Sequence, residues 1–221
     1  MSTDHGELTP TSYAILGLLA LRPWTTYELA KQMDRALGYF WPRARSKLYE
    51  EPKKLVAHGY ARATSESTGR RPRTMYSITA KGRRALAQWV PMPGSGPVLE
   101  FEQLIRVFFA EHGSKADLLR SLDEVRRWAE DRGEASVGIP EAYLAGTGAF
   151  PERLPWLILT GKFLHDFEQM IDRWAEWAID TVESWPDDLA SAEPDWQTLR
   201  EMAAAERTLA DRAAARRAEG D

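Results

Sequence analysis

The chain has 221 residues, 43% of them hydrophobic and 28% charged, the balance of a folded protein with room for one large domain or two small ones. It contains no cysteine, which excludes disulfides, thiolate metal sites and a cysteine nucleophile. The longest apolar run, YAILGLLAL at 13–21, is too short to span a bilayer, and the opening MSTDHGE has no basic signal region, so a soluble cytoplasmic protein without a membrane partner is expected.

The net charge of −4 averages two unlike halves. Residues 1–90 hold 15 Lys and Arg against 7 Asp and Glu, net +8; residues 91–221 hold 14 against 26, net −12. A basic first half suits an acidic partner, of which nucleic acid is the commonest.

In chain order, Thr9 followed by Pro10 reads as an N-cap and first helical residue, opening a buried helix over TPTSYAILGLLAL. Thr25 and Glu28 have capping-box spacing and start a second helix, with Leu29 and Met33 on its inner face. A third helix lies in RARSKLYEEPKKLVAHGY, 43–60, and Gly59 is its stop. YARATSE and TMYSIT read as short strands around the polar turn STGRRPR, and Thr79 caps a fourth helix, AKGRRALAQWV. PMPGSGP, 91–97, is a linker by composition, and the charge changes sign there. The expected domains are therefore 1–90 and 98–221, joined by 91–97.

Beyond the linker the chain reads as helical except at 133–155. The segment 98–112 carries Leu104, Val107 and Phe108 on one face. Ser114 and Asp117 form a second capping box, before an apolar face of Leu118, Leu122, Val125 and Ala129. In 156–185, Trp156, Thr160, Phe163, Phe167, Met170, Trp174, Trp177 and Thr181 alternate spacings of four and three, a heptad stripe. An Ala-rich terminal helix follows.

Helix, helix, helix, strand, basic turn, strand, helix is the layout of a winged helix-turn-helix. The expected fold is mainly α: an N-terminal winged helix-turn-helix with a two-stranded β wing, then an all-helical C-terminal domain for dimerisation. On a helical wheel Leu48, Pro52 and Leu55 fall within about 60° of one another, with Val56 beside them. Arg43, Ser46, Lys47, Glu50, Lys53 and Lys54 lie opposite, as a helix seated in a major groove requires. Arg45, Ser46, Lys47 and Tyr49 are the candidate base readers, and Arg70, Arg71 and Arg73 sit on the wing. Glu50 and Glu51 would repel phosphates, so they must point elsewhere, pair with a local cation, or accept from a cytosine amino group. Pro52 removes a hydrogen bond to Leu48, and a kink at 48–52 is expected.

SYAILGLLAL, YELAKQM, LYEEPKKLVAHGYA and GRRPRTMYSITAKGRRAL together resemble the PadR family of bacterial transcriptional regulators, over about residues 9–90. The resemblance implies a winged-helix DNA-binding domain, a helical C-terminal domain that makes a homodimer, and repression of transcription, often relieved by a small aromatic effector. It adds Tyr27, at the start of the second helix, to the residues near double-stranded operator DNA. Pro52 departs from the family's usual Leu.

In the acidic half, the dimer interface is expected at Leu104, Phe108, Phe163, Phe167, Met170, Trp174 and Trp177. Aromatic residues there, Phe101, Trp128, Phe163 and Trp174, are candidates for lining an effector pocket; core packing is the alternative. The four histidines are scattered singly, with no metal-protease motif, and neither TGKF nor GTG has the context of a phosphate loop. No enzyme, cofactor or metal is indicated. The rival to a DNA binder is a winged helix used only for protein contacts.

Overall fold

The computed structural model describes residues 8–42, 44–67 and 72–220. The chain divides into two compact units, Met1–Pro97 and Val98–Asp221.

The first unit runs α1 (Pro10–Leu21), β1 (Trp24–Thr25), α2 (Thr26–Leu37), α3 (Arg45–Ala57), β2 (Ala61–Ser67), β3 (Pro72–Ile78) and α4 (Ala80–Trp89). The helix starts follow side-chain chemistry. Thr9, Thr25 and Thr79 each accept from the backbone N–H three residues on, and at Thr9 and Thr25 the reciprocal bond completes a capping box. α3 ends as Gly59 takes a left-handed φ of 75°, with Tyr60 N–H bonded to Leu55 C=O and Gly59 N–H to Val56 C=O. Ile15, Leu16 and Leu19 of α1, Leu29 and Met33 of α2, and Leu48 and Leu55 of α3 fill one core.

The wing is a three-stranded antiparallel sheet in the order β1–β3–β2 rather than a two-stranded one. β1 pairs Trp24 with Tyr76 and Thr25 with Met75. Two residues are too few to show a strand's alternation in sequence. Trp24 is instead fixed by its surroundings: its indole N–H donates to Leu18 C=O at 2.8 Å, and the Arg22 guanidinium lies 3.6 Å over its ring.

The second unit contains α5 (Glu102–Phe108), α6 (Lys115–Leu144), α7 (Leu154–Glu183) and α8 (Trp196–Gly220), with single 3₁₀ turns at Ala110–His112, Pro151–Arg153 and Leu189–Ser191. The expected helix over 98–112 is only the seven residues of α5, and Phe108 points away from any core, 77% exposed. The expected break at 133–155 is also shorter. α6 continues through Gly133, Gly138 and Pro140 to Leu144. It stops where Gly146 takes φ 73°, Thr147 N–H bonds Ala142 C=O and Gly146 N–H bonds Tyr143 C=O, the same C-terminal motif that ends α3. The tolerated glycines inside α6 keep helical backbone; the one that breaks it supplies a conformation other residues disfavour.

α6 and α7 pack side by side. Leu118, Leu122, Val125 and Ala129, behind the Ser114–Asp117 capping box, meet Ile171, Ala175, Ala178 and Val182. A partly buried ion pair crosses the same seam, Arg132 to Glu168 at 3.2 Å. The face of α7 that seals the seam is thus small and aliphatic, and it lies one residue round from the aromatic stripe. Phe167 and Trp174 reach in to pack on the core; Trp156, Phe163, Met170 and Trp177 stay exposed.

Two stability effects follow. Leu122→Ala, a deletion in the fully buried seam, is expected to lower unfolding free energy by about 2–5 kcal/mol in urea titration. At the start of α2, the Thr25 backbone N–H and hydroxyl both donate to Glu28 and hold its carboxyl below the usual 4.5. Stabilisation from this pair is therefore full above that value and is lost as pH falls through the lower folded value. Thr25→Ala is expected to cost about 1 kcal/mol at neutral pH, with the gap from wild type narrowing under acid; a gap independent of pH would contradict the assignment.

Candidate nucleic-acid interface

α3 is a continuous helix through Pro52, whose ring is fully buried together with Leu48 and Leu55. Those three positions are one face at helical spacing, so burying them turns the opposite face outward. Ser46, Lys47, Tyr49, Glu50, Lys53 and Lys54 are all exposed on α3. Tyr27, in the first turn of α2, is 67% exposed. Arg73 stands exposed on β3, across the hairpin from Glu66. Its charge also lowers the Glu28 carboxyl, so it lies within electrostatic reach of the start of α2. Arg43, Arg70 and Arg71 fall outside the described residues, as does the side chain of Arg45. β2 and β3 pair up to Ser67 and Pro72.

Glu51 does not share the outward face of its neighbour Glu50. Its carboxylate accepts a hydrogen bond from the Ser12 hydroxyl in the first turn of α1, and Lys54 lies 3.9 Å away. Ahead of α3 in the chain, the Trp41 indole N–H donates to Thr11 Oγ1 at 3.1 Å. The N-terminal turn of α1 therefore holds both the α2–α3 connection and the middle of α3. Of the options open to Glu51 in sequence, the local cation is realised and a buried hydroxyl is added. The hydroxyl donor, 39 positions away, carries no sequence signal.

At the other end of α3, the Thr79 hydroxyl lies 2.8 Å from Gly59 C=O and 3.0 Å from Tyr60 C=O, and Lys81 donates to His58 C=O at 2.8 Å. α4 is thereby fastened to the helix end, and Trp89 stacks on Tyr13 of α1 with centroids 4.7 Å apart.

In the second unit, Phe101 meets Trp174 edge to ring at 6.4 Å, and both pack on the Val125–Ala175 core. Trp128 and Phe163 are exposed. None of these four lines the cleft of about 380 Å³ between α5 and α6, whose walls include Arg106, Phe109, His112, Arg120 and Ser121. Of the interface candidates, Leu104 is half-buried, Phe167 and Trp174 are partly buried within the chain, and Phe108, Phe163, Met170 and Trp177 are exposed. Among the described residues no group of His, Asp and Glu could hold a metal ion, and no helix is long and apolar enough to cross a membrane.

Residues 15–88 match the Transcriptional regulator PadR-like family, and residues 102–183 match the Virulence activator alpha C-term family. The chain is 27% identical over 191 residues to the probable transcriptional regulator Rv1176c of Mycobacterium tuberculosis, covering 81% of this chain and 95% of that one. It is 31% identical over 103 residues to the negative transcriptional regulator PadR of Bacillus subtilis, 44% of this chain and 54% of that one. The solved structure of Bacillus subtilis PadR in complex with operator DNA shares its fold, with a TM-score of 0.68 at 22% identity over 79% of this chain and 99% of that one. The same protein in complex with p-coumaric acid has a TM-score of 0.61 at 23% identity, over 78% and 98%. The chain thus carries a Transcriptional regulator PadR-like domain in its first unit and a Virulence activator alpha C-term domain in its second, and is similar along both to proteins named as transcriptional regulators.

Proposed function

We propose that the chain is a homodimeric, sequence-specific DNA-binding repressor, with residues 1–90 binding operator DNA and residues 98–221 forming the dimer. The observation that carries this is the sorting of α3. Its apolar side is buried, Glu51 is turned inward, and Lys47, Lys53 and Lys54 remain outside with Ser46 and Tyr49. Cations on a protruding helix match the regular negative charge of a duplex, and short polar side chains on the same face match base edges. Tyr27 and Arg73 extend that surface, and Arg43, Arg45, Arg70 and Arg71 are proposed to join it.

Dimerisation is supported by α7. Four large side chains of its heptad stripe, Trp156, Phe163, Met170 and Trp177, stay between 46% and 61% exposed in a single chain. A second copy would cover them, and two reading helices then address two half-sites. Repression is supported by the related Bacillus subtilis protein, which is named a negative regulator. Its complex with p-coumaric acid supports a small aromatic effector here. Phe101 and Trp174, already in contact, are the proposed lining. Such an effector acts only if it prefers a spacing of reading helices that mismatches the operator.

Duplexes selected by the protein from random sequence should lose affinity steeply between about 50 and 200 mM salt. Lys47→Ala with Lys53→Ala should weaken binding to every duplex and flatten the log–log salt slope by about 2. Binding flat with salt would instead mark a protein-contact module. Phe163→Glu with Trp177→Glu, at positions exposed within the chain, should sediment as a monomer with poor operator affinity; an unchanged dimer would place the interface elsewhere.

A further inference from the structure

We infer that Glu51 is a positioning residue for the reading helix: its bond to Ser12 sets the tilt of residues 45–50, the half of α3 proposed to meet base edges. The inference rests on the DNA-binding reading above, but the clamp itself is a property of the free chain.

Three observations meet at one point of α3. First, Pro52 has no N–H, so the Leu48 carbonyl lacks its helical donor, and the ring crowds the preceding turn. Residue 51 is moreover the position that a following proline pushes away from helical geometry. The helix is therefore weakest between Leu48 and Pro52, where its N-terminal half joins the half anchored by Leu55.

Second, the clamp sits on that weak point. Glu51 is nearly buried, its side chain 14% exposed, and its carboxylate takes the Ser12 hydroxyl proton. The Ser12 oxygen accepts the Thr9 N–H at 2.9 Å as part of the α1 capping box and lies 3.0 Å from the Thr9 hydroxyl; with that hydroxyl donating to Ser12, the Ser12 hydrogen goes to Glu51. Ser12 itself is only 2% exposed.

Third, the clamp closes on the first turn of α1, where the positive end of the helix dipole favours a negative charge. The same turn holds Trp41 through Thr11, just ahead of α3. One rigid turn of α1 thus fixes the approach to the reading helix and its mid-point, while Lys47 between them stays exposed.

The test uses the full-length chain and two variants with the same charge change. Glu51→Gln keeps an oxygen that accepts from Ser12; Glu51→Ala does not. In amide hydrogen exchange without DNA, Glu51→Ala should speed exchange at residues 45–50 by about tenfold while Leu55–Ala57 stay as in wild type, and Glu51→Gln should behave as wild type. Uniform acceleration across α1 and α3, or equal behaviour of the two variants, would overturn the inference. In anisotropy titrations against a duplex selected by the wild-type protein and a scrambled duplex, Glu51→Ala should lose about tenfold in the ratio of the two affinities, and Glu51→Gln should retain it. An unchanged ratio in Glu51→Ala would also overturn it. If the wild-type protein selects no duplex, the DNA-binding reading fails, and the exchange data still decide whether Glu51 holds the helix.

Discussion

The burial of Leu48, Pro52 and Leu55 is the constraint on which the first unit depends. α3 packs on α1, α2 and β2, and those three side chains are the surface it offers them. Once they are inside, geometry alone decides what is outside: the lysines 47, 53 and 54, with Ser46 and Tyr49 between. A helix with the same composition but its cations spread round the axis would have to bury some of them, at a cost no small core can offset. Glu51 is the exception that fits the rule. It is the one acid of α3 placed inward, and it has a buried hydroxyl and a nearby ammonium to receive it.

The second unit solves a different problem with the same economy of faces. α7 divides its surface between a narrow aliphatic line, which closes against α6, and a neighbouring aromatic line, of which Trp156, Phe163, Met170 and Trp177 stay exposed. Small residues let the two long helices approach closely. Large aromatics one residue round are suited to a broad contact that can be completed only by another surface. The Arg132–Glu168 pair in the seam adds register: sliding α7 by one turn would pull the two charges apart in a half-dry environment.

Much of this was legible in the residues. The threonine caps at positions 9, 25 and 79, the Ser114 capping box, and the apolar spacings of α3 and α6 are local signals, and each depends on side chains within a few positions. The illegible parts are the ones decided at a distance. β1 is made a strand by Tyr76 and Met75, fifty residues on. Glu51 finds Ser12 across the core, and a helical wheel cannot distinguish it from Glu50 except by the side on which it falls. α6 passes through two glycines and a proline that composition reads as a break, because its true stop is set by a left-handed glycine at 146. The stripe of α7 was visible as a period, but which of two adjacent lines faces α6 was not: aromatic residues dominate the pattern, and Ile171, Ala175, Ala178 and Val182 make the closer contact.

The central claim is that two copies of the chain present two cationic α3 helices to one duplex. Hydroxyl-radical footprinting of the wild-type protein on a selected site tests it most directly. Two equally protected half-sites, separated by about 10 base pairs or a multiple of that, are the predicted pattern, because symmetry-related reading helices meet successive turns of one DNA face. A single protected half-site at saturating protein, or no protection at all, would contradict it.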